Sequence, residues 1–214
     1  MKILILGAAG QIARMLTQEL LHKTEHSIVL YARNGHKRLT HLNDSREVII
    51  DGDFKDKDKL VDAMKDADLV YINDMGDEKS TQAIIDAMYE TGVKRVIAAS
   101  VLGIYDEVSG AFGEWNKRMI GGSPRMDSQV ESARILENSN LDYTLLRLTW
   151  LYNEAGNTNY MISQKEEPFI GAQVTRQAVT RLIMDIIDEK SDNYLRTSLG
   201  VSEPDTDWDK PSFY

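Results

Sequence analysis

The chain has 214 residues, no cysteine and a formal net charge of −9. This length suits one well-filled α/β domain, and the lack of cysteine excludes disulfides, thiol nucleophiles and thiolate metal sites. The acidic balance argues against nucleic acid as a partner, and no apolar run approaches the roughly 20 residues of a membrane span, so we expect a cytoplasmic protein that binds neither nucleic acid nor membranes.

Strand-like and helix-like stretches alternate along most of the chain. Short, mostly apolar runs predict six strands, at residues 2–6, 27–32, 47–50, 69–73, 95–100 and 143–148. Helical spacing of apolar residues predicts helices near residues 12–23, 58–64, 80–91, 126–139 and 179–187. Residues 101–124 are polar and glycine-bearing, which predicts an irregular connection, and the polar tail 202–214 is expected to lie along the surface.

The strands are apolar almost throughout and are separated by helical patterns of 10–15 residues. This arrangement predicts a parallel sheet that is covered by helices on both faces. Right-handed crossovers and a glycine turn after the first strand then favour a single doubly wound α/β domain over residues 1–214, with the strand order 3-2-1-4-5-6.

A glycine-containing turn joins the first strand to the first helix and reads GAAGQIA at residues 7–13. Gly7 lets the chain turn sharply, Gly10 keeps side chains away from a bound phosphate, and Ala13 lets the helix lie close to the strand. Free backbone N–H groups and the helix dipole then face an anion, as in sites that bind a dinucleotide pyrophosphate. The spacing differs from the commoner G-x-G-x-x-G, so a purely structural turn is the alternative. The predicted cofactor contacts in this turn are Gly7, Ala9, Gly10, Gln11 and Ile12.

The end of the second strand, which reads YARN at residues 31–34, decides which dinucleotide is expected. Proteins that prefer NAD usually carry Asp or Glu about 20 residues after the glycines, and this place holds no acid. Arg33 instead offers a planar, charged fork that suits a 2′-phosphate, and Asn34 adds a donor. We therefore predict NADP(H) over NAD(H), with a solvated loop arginine as the alternative for Arg33. Further basic residues nearby are Arg14, Lys37 and Arg38.

Two more strand ends are predicted to contact the cofactor. The third strand is followed by DGDF at residues 51–54, where Asp53 is expected to accept a hydrogen bond from the adenine amino group and Phe54 to pack on the ring. A helix cap or a turn is the alternative role for Asp53. Asn73, at the tip of the fourth strand, lies where ligands bind in such sheets.

Several segments follow one another in the order of a known group of proteins. They are GAAGQIA at 7–13, YARN at 31–34, DGDF at 51–54, VKRVIAASVLGIY at 93–105 and LDYTLLRLTWLYN at 141–153. With them the chain resembles, over essentially its whole length, the atypical short-chain dehydrogenase/reductase group, which includes NmrA-like and flavin-reductase-type NAD(P)H-binding proteins. The resemblance implies a single Rossmann domain in which residues 149–214 partly form a small cap on the substrate side.

The broader family uses a serine at the end of the fifth strand and a Tyr-x-x-x-Lys pair on the next helix. Ser100 matches the serine, but the equivalent helix positions hold Arg125 and Gln129, which supply no ordinary proton donor and no lysine. The usual alcohol–ketone mechanism is therefore not expected. Tyr105 is a candidate near the nicotinamide, as an acid or as a wall of the pocket, and Trp150 is expected either to wall the nicotinamide side or to belong to the core.

All four histidines lie within the first 41 residues, away from the expected substrate side, so neither a histidine base nor a metal site is predicted. The favoured function is an NADPH-dependent reductase of a small flat or electrophilic acceptor, such as a flavin, a quinone or an enone, because solvent can supply the proton to such acceptors. A non-catalytic NADP(H)-binding redox sensor is the alternative. A sugar epimerase or dehydratase is third, since it needs the missing residues and a larger substrate lobe.

Overall fold

The computed structural model describes residues 1–43 and 45–214. Its strands are β1 (Lys2–Leu6), β2 (Ser27–Ala32), β3 (Glu47–Asp51), β4 (Leu69–Ile72), β5 (Arg95–Val101), β6 (Asp142–Leu148), β7 (Trp150–Tyr152), β8 (Met161–Ser163), β9 (Gln173–Thr175) and β10 (Thr197–Ser202). Its helices are α1 (Gln11–Lys23), α2 (Gly35–Arg38), α3 (Lys57–Met64), α4 (Glu78–Thr91), α5 (Gly110–Ile120), α6 (Pro124–Glu137) and α7 (Arg176–Asp188).

The main sheet has the strand order β3-β2-β1-β4-β5-β6-β10-β8. The predicted order 3-2-1-4-5-6 of a doubly wound Rossmann domain is therefore confirmed. Strand β10 extends this parallel core by pairing with β6, and β8 adds one antiparallel edge strand. Strands β7 and β9 form a separate two-stranded parallel sheet.

Helices cover both faces of the sheet because the strands are apolar on both sides. Ile3 and Ile5 of β1 join the core under α1 and α7, whereas Leu4 and Leu6 join the core under α3, α4 and α6. Alternate side chains of a strand point to opposite faces, so a continuous apolar run satisfies two helical layers at once. This double burial holds the carboxyl ends of the central strands in fixed positions.

The expectation of an irregular segment over residues 101–124 is wrong, since helix α5 runs from Gly110 to Ile120. Its buried face combines Phe112 with the polar Asn116. Asn116 is tolerated in the core because its side-chain oxygen accepts a hydrogen bond of 2.9 Å from the indole N–H of Trp150. Because Trp150 lies far along the chain, the local sequence does not show that the polar Asn116 belongs to the buried face of a helix.

Residues 149–214 divide between the main domain and the predicted cap region. Strands β8 and β10 belong to the main sheet, and α7 packs in the same core as α1. Most of the tail is exposed, and hydrogen bonds tie it to the rest of the domain. The N–H of Ala172 donates to the carbonyl of Thr206 at 2.8 Å, and the N–H of Ser212 donates to Oε1 of Gln173 at 2.9 Å. These bonds direct the end of the chain towards the carboxyl edge of the sheet.

Among the described residues, none of the helices combines the length and the apolar character that crossing a membrane requires.

Candidate functional site

A crevice lies at the carboxyl ends of β1 and β4, where the order of the strands reverses and where doubly wound sheets bind ligands. Two cavities open along it. The first cavity, of about 520 Å³, is lined by the glycine turn, Arg33 and Phe54, and the second, of about 590 Å³, by Ser100 and Trp150 among others. Asn73 and Asp74, which directly follow β4, line both cavities, so one elongated ligand can extend from the first into the second.

The glycine turn packs closely against the end of β4. Gly7 has a φ of +76°, and its N–H donates to the carbonyl of Tyr31 at 3.0 Å. A Cβ on Gly10 would lie 2.3 Å from Nδ2 of Asn73. Asn73 in turn accepts a hydrogen bond of 3.1 Å from the N–H of Ala13 through its Oδ1 atom. Gly10 is therefore required by the close approach of Asn73 to the start of α1.

The start of α1 leaves backbone donors without partners. Gly10 is the N-cap and supplies no side-chain acceptor. The N–H groups of Ala9, Gln11 and Ile12 form no hydrogen bond with another described residue. Such free donors, together with the positive end of the helix dipole, fit the pyrophosphate of a dinucleotide. The residues present therefore suit the predicted cofactor.

The first cavity carries positive charge at the end of β2. Arg33 is largely exposed, and its Nε lies 3.9 Å from Oδ2 of Asp53. Arg38 lines the same cavity and donates from Nη1 to the carbonyl of Arg33 at 3.2 Å. Asn34 has a φ of +54° and is the N-cap of the short helix α2. Arg14 supports this group by donating from Nη2 to the carbonyl of Arg38 at 2.6 Å.

Phe54 forms the apolar side of the first cavity. Its ring stacks on Tyr31 with a centroid distance of 6.2 Å, and the Tyr31 hydroxyl donates to the carbonyl of Asp53 at 2.8 Å. The Asp53 carboxylate accepts from the N–H of Lys55 at 3.0 Å, which is the turn geometry that the sequence left open as an alternative. The backbone turn at Asp53 thus places Phe54 against the cavity.

Asp77 closes the first cavity at the start of α4. Its Oδ1 accepts from the N–H of Ser80 at 2.8 Å, and its Oδ2 lies 2.8 Å from Nζ of Lys55. The hydrogen bond from Lys55, followed by those from Ser80, lowers the pKa of the Asp77 carboxyl to about 2. Asp77 is therefore a charged helix cap near neutral pH.

A polar network of side chains lines the second cavity. The Ser100 hydroxyl donates to Oε1 of Gln129 at 3.3 Å, and Nε2 of Gln129 lies 3.4 Å from Oδ1 of Asp74. Arg125 donates from Nη2 to Oδ2 of Asp74 at 2.9 Å. Arg125, Gln129 and Asp74 thus form one hydrogen-bonded group in the lining of this cavity.

The charge of Asp74 determines which way the Gln129 amide points. An ionised carboxylate only accepts hydrogen bonds, so the atom of Gln129 that faces it must be the nitrogen. The amide oxygen then faces Ser100, and an amide oxygen also only accepts. Ser100 consequently donates its proton to Gln129 and presents lone pairs to the cavity.

Aromatic side chains form the opposite wall of the second cavity. Trp150 and Tyr214 line it, with their ring centroids 5.1 Å apart. Trp115 packs against both, at 4.9 Å from Trp150 and 5.2 Å from Tyr214. These edge-to-face and tilted contacts fix the rings, and a fixed aromatic wall is suited to a flat ligand.

Arg176, at the first position of α7, adds a second cation to this cavity. Its Nη1 donates to Oδ1 of Asn153 at 3.2 Å, and Nδ2 of Asn153 donates to Oε1 of Gln11 at 3.2 Å. Burial lowers the pKa of the Arg176 guanidinium. The contact to Gln11 places this arginine beside the start of α1.

Tyr105 is not among the described residues that line the second cavity. Its hydroxyl donates to Oε1 of Glu137 at 2.7 Å and lies 3.0 Å from Oγ of Ser198. The guanidinium of the fully buried Arg147 lies 5.3 Å from the centre of its ring. Burial, above all, raises the pKa of Tyr105. We therefore do not propose Tyr105 as a proton donor to a ligand in this cavity.

Several lining residues were missed as site candidates, including Asp74, Arg176, Phe213 and Tyr214. Asp74 follows a predicted strand end directly, and this position alone was a usable signal. The aromatic pair at the end of a polar tail was a second signal, since exposed aromatic residues are uncommon unless they bind or pack. For Arg176 the sequence offers no comparable signal.

The comparisons with known proteins agree with this geometry. Residues 7–190 match the family model described as NAD(P)H-binding. A short-chain dehydrogenase/reductase from Veillonella parvula, solved in complex with NADP, is 37% identical over 99% of each chain, with a TM-score of 0.94. A Rossmann-fold NAD(P)-binding family protein from Shigella flexneri is 33% identical, covering 100% of this chain and 98% of its own, with a TM-score of 0.81.

A curated relative from Bacillus subtilis, named as the uncharacterized sugar epimerase YhfK, is 24% identical over an alignment of 219 positions that covers 96% of each protein. The relatives therefore carry both reductase and epimerase names. The family match spans most of the chain. The chain thus belongs to the NAD(P)H-binding family of short-chain dehydrogenase/reductase-like Rossmann proteins.

Proposed function

We propose that this protein is an NADPH-dependent reductase that transfers a hydride to a small flat or electrophilic acceptor, of the flavin, quinone or enone type. The observation that carries the proposal is the partner of Ser100. This serine donates to Gln129, within a network with Asp74, in a cavity with an aromatic wall. No tyrosine or lysine bonds to Ser100 within the part of the chain that the structure describes.

The residues of the first cavity are suited to hold NADP(H), which supplies a hydride from its nicotinamide ring when bound. The free N–H groups of Ala9, Gln11 and Ile12 would bind the pyrophosphate, and Gly7 and Gly10 leave it room. Arg33 would bind the 2′-phosphate, with Arg38 beside it and Asn34 as an added donor. Asp53, Phe54 and Asn73 would line the adenine and ribose end. The bound NADP in the Veillonella relative supports this choice of cofactor.

The second cavity is suited to orient an acceptor and to shield it from water. Trp150 and Tyr214 offer ring faces to a flat molecule, and the indole N–H of Trp150 is held by Asn116. Reduction of an isolated ketone calls for a positioned proton donor, and the hydroxyl of Ser100 already donates its hydrogen bond to Gln129. A flavin, quinone or enone instead takes its proton from solvent after the hydride has moved. The site therefore favours conjugated acceptors.

The epimerase name of the Bacillus relative suggests a second candidate, but the site gives it less support. Sugar epimerisation through a keto intermediate removes and returns a hydroxyl proton, which calls for a basic group near Ser100. The side chain that bonds to Ser100 is the neutral Gln129, which contacts Asp74, and Asp74 is itself ion-paired with Arg125.

The direct test is NADPH oxidation by the purified protein with a panel of flavins, quinones and enones, with NADH measured in parallel. Saturable consumption that prefers NADPH is the expected result. Tight binding of NADPH without consumption in the presence of any acceptor would overturn the reductase proposal in favour of a redox sensor.

A further inference from the structure

Asp74 connects two side chains that have spare hydrogen-bond donors. Its Oδ2 accepts from Arg125 at 2.9 Å, and its Oδ1 accepts from the N–H of Gly76 at 3.0 Å and from Gln129 at 3.4 Å. The backbone bond to Gly76 fixes the carboxylate just beyond β4. Asp74 therefore acts as an anchor on which Gln129 and Arg125 are aligned.

The remaining N–H groups of Gln129 and Arg125 are available to bind a ligand. The amide nitrogen of Gln129 has two N–H groups and uses one on Asp74, and the guanidinium of Arg125 has five and uses one. Neither side chain donates to any other described residue. Both line the second cavity, whereas the proton of Ser100 is directed to Gln129. Gln129 and Arg125 are thus the available donors on this wall, and they lie beside one acceptor-only carboxylate.

We propose that Gln129 and Arg125, aligned by Asp74, bind the carbonyl oxygen of a conjugated acceptor and stabilise the negative charge that forms on it. This inference rests on the proposed reductase function and narrows its substrate class to enones and quinones. A flavin spreads its charge over a ring nitrogen and carbonyl groups, whereas an enone or quinone concentrates it on one oxygen. Donors that face the place where charge develops contribute more to catalysis than donors that bind the neutral ground state.

The reaction balances as follows for an enone. The hydride adds to the carbon remote from the carbonyl group, the π electrons move to the carbonyl oxygen, and NADPH leaves as NADP⁺. The oxygen carries one negative charge, which the N–H groups of Gln129 and Arg125 neutralise in part. A proton from water then adds at the neighbouring carbon, so the acceptor has gained two electrons and two protons in all.

Activity is tested with Arg125→Gln and Gln129→Met, compared with Arg118→Gln as a matched control. Arg118 is an exposed arginine of α5 that does not line the cavity. For enone reduction we expect kcat to fall about 100-fold in Gln129→Met. The fall should be about tenfold in Arg125→Gln, since the side chain of Arg125 is 70% exposed and solvent screens its charge. NADPH affinity and the Arg118→Gln variant should remain unchanged.

A second measurement reports on charge stabilisation without turnover. 4-Nitrophenol is flat, gains a negative charge that its phenolate oxygen shares with the nitro group when it ionises, and absorbs visible light chiefly as the phenolate. In the complex of the protein with NADP⁺ we expect its pKa to be lowered by about one unit from the value in water. Gln129→Met and Asp74→Asn should abolish this shift, the latter because an asparagine no longer dictates the direction of the Gln129 amide, and Arg125→Gln should reduce it. Thermal unfolding of Asp74→Asn distinguishes this positioning role from a loss of structure.

The outcomes separate the two proposals. The oxyanion role is supported if the variants reduce enones or quinones more slowly with NADPH. It is supported further if the pKa shift of bound 4-nitrophenol is reduced or lost in them. The oxyanion role is overturned if Gln129→Met and Arg125→Gln reduce the acceptor as fast as the wild type, or if bound nitrophenol has an unshifted pKa. The reductase proposal would still hold in that case. Lack of NADPH consumption with every acceptor overturns the reductase proposal and this inference with it.

Discussion

Arg33→Ala tests the choice of cofactor most directly, because it removes the guanidinium from the end of β2 without disturbing the core. The only ion pair of Arg33 among the described residues is with Asp53, at 3.9 Å, and the two side chains are 75% and 48% exposed. Exposed pairs of this kind contribute about 0–1 kcal/mol. The variant should therefore fold with nearly wild-type stability, so any loss of affinity reports on binding.

The expected size of the effect follows from the bond that is lost. A hydrogen bond to a charged group contributes about 1.5–3 kcal/mol, and about 1.4 kcal/mol corresponds to a factor of ten in affinity. Arg33→Ala should therefore weaken NADPH binding about 10–100-fold. NADH has no 2′-phosphate, so its affinity should stay near that of the wild type.

The assay is a titration of both cofactors into the wild type, Arg33→Ala and the control Arg134→Ala. Arg134 is an exposed arginine of α6 that pairs with Glu131 and lines neither cavity. The control should bind both cofactors normally. NADPH binding by the wild type should also weaken with added salt more than NADH binding does, and Arg33→Ala should reduce this difference. An equal loss of both cofactors in Arg33→Ala would refute the assignment of the 2′-phosphate to Arg33.

Three further substitutions test other parts of the site. Gly10→Ala places a Cβ 2.3 Å from Nδ2 of Asn73, so titration should show weaker binding of NADPH and NADH alike. Trp150→Ala should lower kcat/KM for acceptor reduction about tenfold, as expected for losing about 1–1.5 kcal/mol of ring contact, with NADPH affinity retained. Asp77→Ala should lower the free energy of unfolding in urea by about 1 kcal/mol at pH 7, since it removes the cap of α4. Because the folded pKa of Asp77 is lowered to about 2, this contribution is present above the ordinary carboxyl pKa and disappears as the pH falls through about 2.

Each of these predictions has a control or an outcome that would contradict it. Trp208 is an exposed tryptophan outside the second cavity, and Trp208→Ala should leave acceptor reduction unchanged. Trp150→Phe keeps a flat ring but loses the hydrogen bond to Asn116, so it separates the contribution of ring stacking from that of this hydrogen bond. Equal losses of acceptor reduction and NADPH affinity in Trp150→Ala would mark it as structural. A wild-type cofactor affinity in Gly10→Ala, or a pH-independent stability difference in Asp77→Ala, would contradict the corresponding argument.

The sheet order could be predicted because it depends on local patterns. Apolar strands that are buried on both faces have a continuous signature, as in residues 2–6, and right-handed crossovers leave few ways to order them. The turn at Gly7 and Gly10 was recognisable for the same reason, since its geometry requires small residues close together in sequence. Helix α5 escaped prediction because Asn116 is buried through its bond to Trp150, a partner far along the chain.

The sequence by itself determined the Rossmann architecture, the family and the glycine turn, because each follows from periodicity or from steric limits within a few residues. Only the tertiary structure placed Asp74 between Arg125 and Gln129, since these residues come from the end of β4 and from α6, about 50 positions apart. The direction of the Gln129 amide, and hence of the Ser100 proton, depends on that neighbour. Likewise only the folded chain brings Tyr214 against Trp150, because hydrogen bonds from the tail to β9 and its preceding loop set its path.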